Sequence, residues 1–506
     1  MSRWHDLPRP ARRRRLGSAK STLGSQSATL GAGVLLDPLR IPDDIWSDAV
    51  VRDALTRRDV GALFRRVSQL TGASQTRIGA AVGLEQGYVS RVMAGRKVTS
   101  IDVLERIAEG CRMPDQARMA LGLAPHDPSC LLGMASPAGE RQSDQPVYRS
   151  WREEVRAAVQ LWEGDVNRRD VIRQVAFTSA GYTLPALRWF TAPAAPAVEQ
   201  GGRRVVGQPD IDTIREMTST YRRLDNQYGG GHARAAVTRY LHQEVTPLLS
   251  DGRYDAATGR RLLSAVAELT QLAGWQAYDM ADHGVAQLYL TRALDLARAA
   301  GDPGLGAEIL SAMSHQATYL GHGTTGVDLA RAARETAQRA GLTVLTAEAS
   351  VMEAHGHAVI RDERACAAAL HLAEQALDRA DRSSDPQWLG YFDEAYLSAK
   401  FGHCLHVLGK PARAEAFAAR SLRMDERYVR GKAFNLALLA TVQAQRGDPD
   451  RACAIGTDAL SLTTRLQSAR AVRYVRDLQA QLAPHRRRPT VRQFIRRVDA
   501  VLGARS

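Results

Sequence analysis

The sequence predicts an all-α protein, with a small helix-turn-helix bundle near the N-terminus followed by a long α-solenoid of helix pairs. Three observations carry this. Ala and Leu are abundant, aromatics make up only 6% of the 506 residues and β-branched runs are scarce, a balance that favours helices over strands. The stretch Gln75 to Met93 has an apolar and glycine pattern that fits two short helices joined by a tight turn. Short breaks then recur at near-constant spacing through the second half of the chain.

In chain order, residues 1–40 are rich in Arg, Ser and Gly without periodicity and are expected to be a disordered basic extension. Residues 41–125 show helical periodicity and form the expected first domain. Residues 126–209 contain Pro125-adjacent and Pro-rich breaks around one helical segment that carries Trp151, Trp162 and Trp189, and are expected to be a linker with an isolated helix. Residues 210–483 are helical and repetitive. The breaks Asp282-His283-Gly284, Gly321-His322-Gly323, Arg361-Asp362, Gly409-Lys410-Pro411 and Gly447-Asp448-Pro449 each precede an Ala-rich helix. Aligning these helices at Ala293, Ala333, Ala376, Ser421 and Ala459 gives steps of 40, 43, 45 and 38 residues. Two helices per unit at this period mark a TPR-like solenoid. Residues 484–506, with Val491, Phe494, Ile495 and Val498 at amphipathic spacing among arginines, are expected to form a basic capping helix and tail.

Charge is concentrated at the ends. The formal net charge is +14; residues 1–150 hold 22 Lys and Arg against 15 Asp and Glu, and residues 484–506 hold seven Arg against Asp499 alone. Basic ends on a near-neutral body suit a polyanionic partner. The five cysteines form no CxxC pair, so neither a zinc site nor a disulfide framework is expected, and a reducing cytoplasmic location fits. No apolar run approaches the roughly 18 residues of a membrane helix, and the arginine-rich start lacks the apolar core of a secretory signal.

Within Gln75 to Met93, Ser74 is placed to cap the first helix. Gly79 supplies a small residue where the two helices cross, and Gly83 a turn where positive φ is cheap. Ile78, Val82, Leu84, Val89 and Val92 take the inward positions, with flanking helices expected at about 60–70 and 100–111. Residues 59–100 carry six cations against two acids, which favours a phosphate backbone as partner.

This stretch resembles the helix-turn-helix of the XRE, or phage-repressor-like, family. The resemblance implies that the second helix enters the major groove of double-stranded DNA. Carried over by position, Gln86, Gly87, Tyr88 and Arg91 face base edges, while Gln75, Arg96 and Lys97 touch phosphate. Gln pairs with adenine and Arg with guanine in direct readout; Gly87 removes one side chain from that face, and Glu85 opposes phosphate. The order of this motif, a segment with spaced tryptophans, the Gly229-Gly230-Gly231-His232 turn and Gly274-Trp275-Gln276-Ala277-Tyr278-Asp279 is similar to actinobacterial helix-turn-helix/TPR regulators. That likeness implies transcriptional control, with a homodimer as the usual DNA-bound form.

Stacked hairpins line a concave groove with their first helices. Alignment on the breaks puts Gln276, His315, His355, His403 and Thr441 at one register, expected to face the groove and to contact a peptide, a small ligand or a protein partner. Each histidine alone also fits a satisfied core residue. The Gly-rich turn at 229–232 reads as an anion nest or, more commonly, a hinge. No nucleophile–base set, no metal cluster and no nucleotide-binding lysine stands out, so no enzymatic activity, metal or cofactor is expected. The competing function is an interaction scaffold whose helix-turn-helix no longer binds DNA.

Overall fold

In the structure, a computed structural model, the residues described are 41–42, 45–46, 48–56, 59–98, 100–123, 150–167, 175–192, 198–380, 382 and 385–503. The expected basic extension and most of the Pro-containing stretch after residue 123 lie outside them. The chain divides into two compact units, 1–130 and 131–506.

The described residues of the first unit form α1 (Ala49–Thr56), α2 (Val60–Thr71), α3 (Gln75–Ala81), α4 (Gln86–Met93), α5 (Ile101–Gly110) and α6 (Asp115–Leu121). Phe64, Ile78, Val89, Val92 and Ile107 are fully buried at its centre. Asp59 starts α2 by accepting from Ala62 N at 2.8 Å, which satisfies one of the free amides of the first turn. The bundle is tight where glycines let backbones meet: a Cβ at Gly61 would strike the Val92 carbonyl, one at Gly79 the Leu84 carbonyl and one at Gly110 the Ala81 carbonyl. The flanking helices expected from sequence are α2 and α5; α1 and α6 add to them.

In the second unit, α7 (Trp151–Asn167) and α8 (Thr183–Thr191) precede three very short strands, β1 (Gln200–Gly201), β2 (Arg204–Val205) and β3 (Gly252–Tyr254). β3 lies between the others, antiparallel to β1 and parallel to β2. The remainder is helical: α9 (Gln208–Tyr228), α10 (Gly230–Tyr240), α11 (Thr246–Ser250), then α12 (Ala256–Asp279) and α13 (His283–Ala300), α14 (Pro303–Tyr319) and α15 (Gly323–Arg339), α16 (Thr343–Val359) and α17 (Glu363–Asp378), α18 (Glu394–Val407) and α19 (Pro411–Arg420), α20 (Val429–Gln445) and α21 (Pro449–Thr463), and α22 (Ala469–Leu482) and α23 (Pro489–Leu502). The five breaks seen in the sequence are the turns inside the first five of these hairpins. In each, the same backbone bond closes the turn: the N–H groups of Asp282, His322, Asp362, Lys410 and Asp448 donate to the carbonyls of Ala277, Ala317, His357, Leu405 and Gln443.

The segment expected as a linker with an isolated helix is part of this unit's core. Trp162 and Trp151 of α7 are buried with Tyr289 and Leu290, and Asp165 of α7 accepts from Arg234 Nη2 and from Tyr289 Oη, both at 2.9 Å. Trp189 of α8 packs over Gly306, where any side chain would collide with its ring, and its indole N–H donates to Thr336 Oγ1 at 3.0 Å. The tryptophans that looked like a detached helix in sequence are anchors for the outer helices of the array. At the other end α23 buries Val491, Phe494, Val498 and Leu502 against α21 and α22, so the arginine-rich C-terminal helix is the second helix of the last hairpin and covers the hairpin before it.

The array also closes on itself, because α9 packs against both α12 and α20. Gln467, before α22, donates its N–H to the Tyr228 carbonyl at 2.7 Å and accepts from Gly231 N at 2.9 Å. Asp279, fully buried at the end of α12, accepts from Gly230 N at 2.9 Å and from Ser468 Oγ at 3.0 Å, with Arg430 at 3.6 Å and Arg470 at 3.8 Å. The Gly229–His232 turn therefore does not stand open as a nest for a foreign anion. Its Gly230 amide holds the protein's own carboxylate, and Gly229, at φ 89°, lies against the Gln467 backbone with no room for a side chain.

Candidate nucleic-acid interface and central cavity

The first site is the outer face of α4. Ser74 accepts from Arg77 N at 3.2 Å to start α3, Gly83 turns the chain at φ 64°, and burial of Val89 and Val92 fixes the rotation of α4. That rotation leaves Glu85, Gln86 and Arg91 exposed, with Gly87 and Tyr88 half-buried beside them. Gln86 Nε2 donates to Gln75 Oε1 at 2.8 Å, tying together the starts of the two helices. The Tyr88 ring has the Arg96 guanidinium 5.0 Å and the Arg91 guanidinium 6.0 Å from its centre, within cation–π range. Arg96 and Lys97 are exposed on the following loop. The residues expected at base edges and at phosphate thus form one contiguous polar face, Gln75 being joined to it through Gln86. A side chain at Gly87 would meet nothing nearer than the Arg91 guanidinium, at 3.6 Å.

The second site is a cavity of about 1070 Å³ inside the helical body, lined by α9 and by the first helices of the six hairpins. His315 and His403 line it; His355 stacks between them, its ring centre 6.2 Å from each. The row is anchored at one end by Tyr278, whose hydroxyl lies 2.9 Å from His315 Nδ1, and at the other by Tyr474, 6.0 Å from His403. Burial pushes all three imidazoles down, His355 to about 3, so they are neutral hydrogen-bonding groups at ordinary pH.

Gln276 does not belong to this row. It is fully buried away from the cavity, its amide without a partner among the described residues. The helices that carry His315, His355 and His403 end four residues later, at Tyr319, Val359 and Val407, and the same position before Asp279 is Trp275. Trp275 lines the cavity, 5.5 Å from His315. Aligning on the breaks slipped by one residue in this first hairpin, because its αL turn residue is Ala281 and carries no sequence mark. Thr441 keeps the register but lies outside the cavity lining, where its carbonyl accepts from Gln481.

Sequence reasoning missed the charged lining. Seven residues before Trp275, His315, His355 and His403 stand Glu268, Glu308, Glu348 and Tyr396, all in the cavity wall. Two helical turns separate such positions, so they share a face, and the same alignment read one step earlier would have found them. Tyr391 Oη is shared by Glu348 Oε1 at 2.6 Å and Glu308 Oε1 at 3.0 Å. Burial raises the pKa of both carboxyls, and the neighbouring Glu308 charge raises Glu348 further. Among the cations in the wall, Lys400 and Arg470 are buried close to the histidine row. Lys400, 7% exposed, sits 5.2 Å from the centre of the Tyr396 ring, and burial followed by the nearby Arg470 pushes its pKa down to about 7. Arg470, 4% exposed, is caged by Tyr278, Phe434, Trp275 and Tyr319 at 4.3, 4.7, 5.4 and 5.8 Å.

Among the described residues no group of three or more His, Cys, Asp or Glu is placed to hold a metal ion, and no described helix is long and apolar enough to cross a membrane. No curated protein matches the chain. Residues 59–121, from the start of α2 through α6, match the family model described as a helix-turn-helix domain, so the chain carries a helix-turn-helix domain.

Proposed function

We propose that the protein is a sequence-specific DNA-binding transcription regulator of the XRE-like type, acting in the cytoplasm as a homodimer, whose TPR-like body receives an effector in its central cavity. The observation that carries the DNA-binding half is the face of α4: Gln86, Tyr88 and Arg91 point outward while Val89 and Val92 seal the helix to the bundle. A single helix-turn-helix covers one half-site, so a dimer reading two half-sites about one helical turn apart follows from the geometry of such domains. The receptor half is supported by the cavity and by its polar wall. Effector and DNA are then linked reciprocally, with a coupling of about 1–3 kcal/mol.

The test separates base reading from phosphate contact. Binding of the full chain to its selected site and to random duplex is measured as a function of salt. Arg91→Ala is expected to lose about 1–3 kcal/mol of discrimination at one base position, whereas Lys97→Ala weakens all sequences alike and flattens the salt slope by about one. Equal losses on specific and random DNA for both variants refute the assignment, and absence of any salt-dependent binding favours the scaffold.

A further inference from the structure

We propose that the cavity receives an organic anion with a flat, apolar body, its anionic group taken by Lys400 and Arg470. The inference rests on the receptor reading above and names the chemistry of what is received.

Lys400 carries the argument. It is more than nine-tenths buried as a residue and lines the cavity, yet among the described residues its ammonium makes neither an ion pair nor a hydrogen bond and meets only the Tyr396 ring. Buried lysines are rare unless paired, because desolvating the ammonium is unfavourable without a partner. The nearby Glu348 raises the Lys400 pKa but forms no ion pair with it, and burial together with the neighbouring Glu308 holds Glu348 toward its neutral form. Arg470 is loosely paired: its ion pair with Asp279 is long, 3.8 Å from Nε, and Nε and Nη1 have no hydrogen-bond acceptor. That carboxylate is already held by Gly230 N and Ser468 Oγ.

Two of the cavity's acids have cationic partners of their own. Glu268 pairs with Arg222 at 2.9 Å and Asp225 with Arg430 at 2.7 Å. Glu308 and Glu348, both with raised pKa and sharing one hydroxyl, hold less negative charge than two free carboxylates. Lys400 therefore has no carboxylate paired with it, and Arg470 has only the long contact with Asp279. The rest of the ligand is set by Trp275, Trp388, Phe434 and Tyr474, which offer ring faces and edges, and by neutral His315 and His403, which orient polar substituents. Closure of the array by α9 bounds the space, and about 1070 Å³ is at the upper end of small-molecule pockets. A compact organic ligand fits this better than an extended peptide.

The test is calorimetric titration of the full chain with three probes sharing one ring system: naphthylacetate, naphthylacetamide and naphthylethylamine. The carboxylate is expected to bind at least about tenfold more tightly than the amide, equivalent to about 1.4 kcal/mol, and the amine most weakly. In Lys400→Met the preference for the carboxylate over the amide should shrink severalfold, Arg470 keeping the remainder, with the affinity for the amide unchanged. Thermal unfolding of the unliganded variant keeps the comparison sound: removing an unpaired buried charge should leave its midpoint at or above the parent's. If carboxylate and amide bind alike in the parent, or the preference is undiminished in Lys400→Met, the anion assignment is overturned while the receptor reading stands. If none of the three binds at millimolar concentration, the receptor reading of this cavity fails as well.

Discussion

The two units handle polar side chains in opposite ways. In the described residues of the first, Arg118 is the one buried charged or polar side chain, and it is paired with Glu105; every residue assigned to DNA sits on or at the edge of the surface. The helical body instead buries Asp165, Asp225, Asp279, Glu308, Glu348, His315, Lys400 and Arg470. Desolvating such groups is unfavourable unless partners replace water. A unit that works by presenting a face can keep an apolar core and place its chemistry outside. A unit that encloses its site must carry the chemistry through its interior and build the partners there. The difference locates each working surface without reference to any relative, and it is open to direct perturbation.

The largest expected effect is at Asp279, where the interior network also closes the array. Asp279→Ala removes the acceptor for Gly230 N and Ser468 Oγ and leaves Arg430 and Arg470 with less compensation. Loss of one partner from a buried ionic network typically costs about 3–5 kcal/mol. Hydrogen exchange read segment by segment should show faster exchange in α9, α10 and α22, with α2 to α5 unchanged. Uniform loosening of both units would mean that they do not differ in the way argued.

A second effect comes from the buried imidazoles. His355 is held at about 3 against about 6.5 in an unfolded chain. Between those values the unfolded state binds a proton that the native state does not, so stability is full above about pH 6.5 and falls as pH drops toward 3. One such group contributes a slope of about 1.4 kcal/mol per pH unit. The raised pKa values of Glu308 and Glu348 act in the opposite sense over part of this range, so the informative quantity is a difference. His355→Asn should flatten the stability–pH curve by about that slope between pH 6 and 4, measured by urea unfolding. An unchanged slope would show that His355 is protonated in the folded protein.

What the sequence made legible follows the same division. The helix-turn-helix was readable because its constraints are local: a cap at Ser74, a turn at Gly83 and inward Ile78, Val89 and Val92. The hairpins were readable where Gly321, Gly409 and Gly447 mark the turn. The docking of α7 was not, because Trp151 and Trp162 meet residues such as Tyr289 more than a hundred positions away. Nor was the charged wall. Helices such as α12 and α14 are buried on nearly every side, so their polar residues do not mark a solvent face. Glu308 and Lys400 look like surface residues until the periodic rows are aligned in space.

The smallest effect tests the repeat itself. The residue before the closing N–H lies in the left-handed region in all five turns, at φ 64° for Ala281, 88° for Gly321, 65° for Arg361, 71° for Gly409 and 84° for Gly447. A side chain there costs about 1–2 kcal/mol, partly offset because glycine loses more freedom on folding. Ala281→Gly should therefore stabilise the body by about 0.5 kcal/mol, seen as a higher urea midpoint with an unchanged m-value. Arg361 is in the same conformation, but its guanidinium donates to the Val407 carbonyl across the next hairpin. Replacing it with glycine relieves the backbone and removes that bond, worth about 0.5–1.5 kcal/mol, so Arg361→Gly should show no net gain. If both variants gain equally, the Arg361 bond contributes nothing; if Ala281→Gly loses stability, the five turns are not equivalent and the common hairpin geometry does not govern the first repeat.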